Sequence, residues 1–155
     1  MIRLSIIVPV FNTEKYLARC LDSLVEQDIP ADQYEIIVIN DGSPDNSSLI
    51  ARDYVSKYSQ VSYHEQENIG LFETRNKGIG LAKGEFIYFV DSDDYIAKGV
   101  LGKIVRYMER AKLDVFGFGI VKTTSSTIPP PSLDDGAFEV LPVYDGPSYI
   151  SKFDY

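Results

Sequence analysis

The sequence predicts an α/β domain: a mostly parallel sheet with helices on both faces. Strand-like apolar runs alternate with segments of helical period along most of the chain, the pattern of successive βαβ units. The strand runs are continuously apolar rather than alternating, which suits a sheet covered on both sides. The chain has 155 residues, 45% of them apolar, enough to enclose one core.

Residues 4–11, LSIIVPVF, read as a buried strand that stops at the polar Asn12-Thr13-Glu14. Residues 14–27 place Leu17, Cys20, Leu21 and Leu24 on one helical stripe. YEIIVIND (Tyr34–Asp41) is a second, β-branched strand. The helix over 43–58 takes Ser43 as N-cap and Pro44 as its first residue. VSYHEQ (Val61–Gln66) is a third strand. Residues 71–84 form a helix stopped by Gly84. Gly78 and Gly80 inside it each cost about 1 kcal/mol of helix propensity, which close packing on the sheet explains. Residues 85–91 form a fourth strand, and 97–112 a helix with Val100, Leu101, Ile104 and Met108 on one side. LDVFGFGIV, residues 113–121, predicts a fifth strand. Beyond Lys122 the composition turns to Pro, Ser and Thr, a loop, and Pro147 lies near the first turn of a further helix. The chain divides into a portion 1–122 and a portion 123–155 that starts another unit and ends within it.

Composition narrows the class. No apolar tract reaches the roughly 18 residues of a membrane span. The apolar N-terminal run lacks a small-residue cleavage site and reads as a strand, not a signal peptide. The single cysteine, Cys20, excludes an internal disulfide and fits a reducing, cytoplasmic compartment. With 15 Lys and Arg against 23 Asp and Glu, the net charge is −8, and no basic stripe offers a nucleic-acid surface.

In an open parallel sheet, ligands bind at the carboxyl ends of the strands. Three polar clusters fall there: Phe11-Asn12-Thr13-Glu14 after the first strand, Asn40-Asp41-Gly42-Ser43 after the second, and Asp91-Ser92-Asp93-Asp94 after the fourth. The first loop has no glycine, which excludes a dinucleotide fingerprint and disfavours a sugar nucleotidyltransferase. There is no P-loop, and the acidic pattern of a receiver domain is missing. Three carboxylates in four positions repel one another unless a hard cation joins them. Mn²⁺ or Mg²⁺ takes one or two carboxylates plus substrate phosphates, and so lets an acidic protein hold a diphosphate.

The segments SIIVPVFNTEKYLARCLDSL, VINDGSPDNS and ENIGLFETRNKGIGLAKGEFIYFVDSDD together resemble glycosyltransferase family 2, with its GT-A (nucleotide-diphospho-sugar transferase) fold. The resemblance implies transfer of a sugar, usually with inversion, from a nucleoside-diphosphate sugar such as a UDP-sugar. The acceptor is a glycan or a lipid-linked acceptor in bacterial cell-surface polysaccharide synthesis. It implies that Pro9, Phe11, Asn12 and Glu14 line the base and ribose pocket. Asp41 accepts from the base N–H, and Arg75 and Asn76 sit near the nucleotide. Asp91 and Asp93 form the D-x-D motif, with Ser92 between them; Asp93 is the direct metal ligand, and Asp94 touches metal or sugar. The general base is expected in the second half of the domain, beyond Tyr155. Residues 1–122 are then the nucleotide-sugar-binding portion, and 123–155 the truncated start of the acceptor side. Such a portion is expected to bind donor without turnover on its own, as would a degenerate relative, and to self-associate through exposed apolar sheet. Family members often work at the inner face of the plasma membrane, which implies peripheral membrane association.

Plainer roles stand beside these. Asp41-Gly42 is a common turn pair. Asp93 and Asp94 could cap the next helix. Cys20 on the apolar stripe reads as core, and His64 as structural.

Overall fold

The computed structural model describes residues 1–112. The expected strand at 113–121, the loop after it and the further helix near Pro147 lie outside the described residues. Eight elements alternate: β1 (Leu4–Val10), α1 (Glu14–Val25), β2 (Tyr34–Asp41), α2 (Ser47–Lys57), β3 (Val61–Gln66), α3 (Leu71–Leu81), β4 (Phe86–Phe89) and α4 (Leu101–Ala111). The four strands form one parallel sheet in the order β3-β2-β1-β4.

That order, with crossover handedness, sets which face each helix covers. From β1 the chain steps outward to β2 and β3, then returns past β1 to β4. Crossovers between parallel strands are right-handed, so reversing the direction of travel moves the connecting helix to the other face. Accordingly α1 and α2 pack on one face. There Leu17, Cys20, Leu21 and Leu24 meet Ile6, Val8, Ile36 and Val38, all of them buried, and Leu101 and Val105 of α4 join the same core. The opposite face is thinner: Ile7, Ile37 and Ile39 pack under α3, with Leu81 and Ala82 against them. β1 is buried along its whole length, as its unbroken apolar run requires.

The fourth strand is shorter than expected, Phe86–Phe89 rather than 85–91, and three expected caps are not made, each for a local reason. Ser43 does not cap α2: its Oγ accepts from the Asn12 N–H at 3.1 Å, and the helix begins only at Ser47. Gly84 does not end α3, because Ala82 is already extended. Gly84 lies against β1 instead, its N–H donating to Ser5 Oγ at 2.8 Å. Asp93 and Asp94 cap no helix, since Gly99 at φ 74° breaks the chain after them and α4 starts at Leu101. Its first N–H groups are taken by Gln27 Oε1, which accepts from Val100 at 3.1 Å, and by Asp28 Oδ1, which accepts from Gly102 at 2.7 Å. Of the two α3 glycines, only Gly78 is explained by packing. A Cβ there would overlap the Ile7 side chain, whereas one at Gly80 would meet nothing within 4 Å.

Candidate functional site

The reversal of the chain leaves β1 between β2 and β4, so the loops after these strands splay to either side of one crevice. A groove of about 460 Å³ opens there, within the range of small-molecule sites. Pro9 and Phe11 line one wall, Asp41 and Thr74 another, and Asp91, Ser92 and Asp93 a third. The three polar clusters of the sequence thus converge.

Asp41 is buried at the end of β2. Its Oδ1 accepts from Gln66 Nε2 at 2.8 Å and from the Ile69 N–H at 3.0 Å, and its Oδ2 accepts from the Gly70 N–H at 2.9 Å. It is therefore more than a turn residue: it folds the loop after β3 onto the groove. Burial pushes its carboxyl up. The bonds from Gln66, Ile69 and Gly70 outweigh burial and hold it below the usual carboxylate range. Asp41 also lines the groove, where its carboxylate can meet a ligand N–H.

The carboxylates after β4 sit on a tight turn closed by the Asp94 N–H donating to the Asp91 carbonyl at 2.9 Å. Arg75 on α3 donates to Asp91 Oδ1 at 2.6 Å and lies 5.7 Å from the centre of the Phe89 ring. Asp93 is exposed on the groove and, among the described residues, makes no hydrogen bond or ion pair. The Asp94 carboxyl is raised, first by burial and then by the Asp93 and Asp91 charges, with Arg19 opposing. The same three aspartates, after burial itself, push the Cys20 thiol up to about 12. Cys20 is a protonated core residue, as its place on the stripe predicts. Burial, with Lys77 and Lys83, depresses His64, which stays neutral.

The described residues hold no cage of three or more His, Cys, Asp or Glu side chains. The donor set fits a different kind of metal site. Asp93 faces the groove with no hydrogen bond or ion pair among the described residues, and Asp91 lines the same groove two residues away. A divalent ion completing its shell with diphosphate oxygens matches that set.

Several expected site residues stand outside the groove wall. Glu14 Oε2 accepts from the Asn46 N–H at 2.9 Å and from Asn46 Nδ2 at 3.0 Å, so its carboxylate serves the start of α2. Asn12 is left-handed at φ 56° and tied to Ser43 through its N–H, and Asn76 is an exposed α3 residue. Neither Asn12, Glu14, Arg75, Asn76 nor Asp94 lines the groove. Conversely, Asn68, Gly70, Leu71 and Thr74 line it without having been singled out. The signal was present in Glu67-Asn68-Ile69-Gly70, a polar, glycine-bearing loop after the third strand at the same sheet edge.

The chain is 40% identical over 132 residues to the glycosyltransferase EpsJ of Bacillus subtilis (strain 168), covering 84% of this chain and 38% of that protein. It is 39% identical over 116 residues to the poly(ribitol-phosphate) beta-N-acetylglucosaminyltransferase TarS of Staphylococcus aureus (strain Mu50), covering 74% of this chain and 20% of TarS. The chain therefore spans well under half the length of these relatives. Among solved structures, S. aureus TarS in complex with UDP-GlcNAc matches with a TM-score of 0.70 at 34% identity, over 78% of this chain and 37% of that one. The mannosyltransferase PcManGT of Pyrobaculum calidifontis, in complex with GDP-Man and Mn²⁺, matches with a TM-score of 0.64 at 26% identity, over 68% of this chain and 32% of that one. The sheet and helices are those of the GT-A fold. With the family description "Glycosyl transferase family 2" matching residues 5–145, the chain belongs to glycosyltransferase family 2.

Proposed function

We propose that the described residues form the donor site of an enzyme that moves a sugar from a UDP-sugar to a glycan or lipid-linked acceptor in cell-surface polysaccharide synthesis. One observation carries this reading. A single groove joins a buried, ionised Asp41 at one wall to an exposed Asp93, unpartnered among the described residues, at another. That spacing of functions suits a nucleoside diphosphate. Asp41 accepts the base N–H, Pro9 and Phe11 flank the nucleoside, and Asp93 and Asp91 face the diphosphate. The UDP-GlcNAc held by TarS favours uracil as the base. A divalent ion, Mn²⁺ or Mg²⁺, held by Asp93 with Asp91, would offset charge on the departing diphosphate. An acceptor hydroxyl attacks the anomeric carbon, the bond to the diphosphate breaks with inversion, and a general base takes the hydroxyl proton. The described residues offer no candidate for that base.

A thermal-shift panel with UDP, GDP and dTDP, each with Mn²⁺, Mg²⁺ or EDTA, tests the proposal. UDP with metal should stabilise the protein by about 2.7 kcal/mol at a hundredfold excess over Kd. EDTA and Asp93→Ala should each remove the shift. No shift with any nucleotide would overturn the reading.

A further inference from the structure

The turns after β1 and β2 are laced by hydrogen bonds that the groove itself does not use. The Glu14 N–H, at the start of α1, donates to Asp45 Oδ2 at 2.8 Å. Asp45 Oδ1 accepts from the Ser47 N–H at 3.0 Å, at the start of α2. Glu14 Oε2 in turn takes both donors of Asn46. Thr13 and Asn46, the residues that precede the two helices, cap neither with their own side chains. Asp45 thus ends both helices at once, and Glu14 closes the pair from the other side. Helix N-termini leave several N–H groups without partners, and a carboxylate is the strongest neutral-pH acceptor for them.

The lacing continues in both directions. Ser43 Oγ accepts from the Asn12 N–H at 3.1 Å and donates to the Val10 carbonyl at 3.4 Å. Thr13 Oγ1 donates to the buried Ser92 Oγ at 2.9 Å, between Asp91 and Asp93. The 11–13 turn, which brings Phe11 to the groove, is gripped on one side by the β2–α2 loop and on the other by the carboxylate turn.

We propose that Asp45 is a positioning residue. With Glu14 it clasps α1 to α2, places Phe11 at the groove and, through Thr13 and Ser92, places the turn that carries Asp91 and Asp93. Its consequence for nucleotide affinity rests on the donor-site reading; the clasp itself does not.

Amide hydrogen exchange and calorimetric titration with UDP and Mn²⁺ together test it, on the wild type, Asp45→Ala, Asp45→Asn and Thr13→Val. Asp45→Ala should speed exchange at 12–14 and also at 92–95, with β3 unchanged. UDP affinity should fall about tenfold, the effect of losing roughly one net hydrogen bond. Asp45→Asn keeps one acceptor oxygen and should fall between wild type and Asp45→Ala. Thr13→Val should loosen 92–95 while leaving 44–47 protected. Faster exchange confined to 44–50, with affinity unchanged, would reduce Asp45 to a local helix cap and overturn the proposal. If Asp45→Ala does not fold, Asp45→Asn and Thr13→Val decide the same question. If the wild type binds no nucleotide, the donor-site reading fails, and the exchange pattern still decides the clasp.

Discussion

Asp41 shows how one side chain ties distant loops together. Its position after a β-branched strand is legible in VINDGS, but its partners are not: Gln66, Ile69 and Gly70 are 25 or more residues away along the chain. Asp41→Asn keeps the shape and turns an NH₂ toward an N–H. A buried donor without a partner costs about 1–3 kcal/mol, which urea unfolding at pH 7 should show. The pH dependence has a definite sign. A carboxylate held below its unfolded value of about 3.9 stabilises the fold above that pH, and the contribution is lost as pH falls through the folded value. The gap between wild type and Asp41→Asn should therefore be full at neutral pH and shrink as pH falls below about 4. Asp45 is also held low: bonds from Ser47 and the Glu14 N–H outweigh its burial, so its stabilising contribution is lost over the same acid range.

At the scale of elements, helix and strand types follow the apolar periods, while their ends follow contacts made elsewhere. α3 makes the point with glycines. Gly80→Ala meets nothing within 4 Å and removes the backbone freedom of glycine, so it should stabilise the protein by about 0.5–1 kcal/mol. Gly84→Ala places a Cβ 2.6 Å from the Ser5 N and should cost about 1–3 kcal/mol. Thermal denaturation of the two variants should move Tm in opposite directions. A common direction would mean that the 82–84 segment does not press on β1 as described. Ser5 explains why that segment is close: its Oγ accepts from Gly84 and donates to Glu35 Oε1 at 2.7 Å, joining β1, β2 and the end of α3.

For the whole molecule, the strand order matters more than any single motif. With β1 central and β4 on its far side, four loops distant in sequence border one groove. UDP with Mn²⁺ should accordingly slow amide exchange in all four of them, near residues 11–13, 41–43, 68–71 and 91–94. The outer parts of α2 and β3 should be left unaffected. Protection at the carboxylate turn alone would mean that the ligand holds the metal end without entering the groove.

The alternation of strands and helices was legible from the sequence alone, as were the two-sided burial of β1 and β2 and the carboxylates gathered after the fourth strand; β4, read as equally apolar, leaves Ile87 and Phe89 exposed. The legible features depend on local period and on residue type, and both are written along the chain. The tertiary structure decided which residues the site shares. It put Glu14 on Asn46 rather than in the pocket, Arg75 on Asp91, and Asn68 and Thr74 on the groove wall. Those pairings are set by strand order and crossover hand, which bring together residues tens of positions apart. No window of sequence short enough to show a period contains both partners.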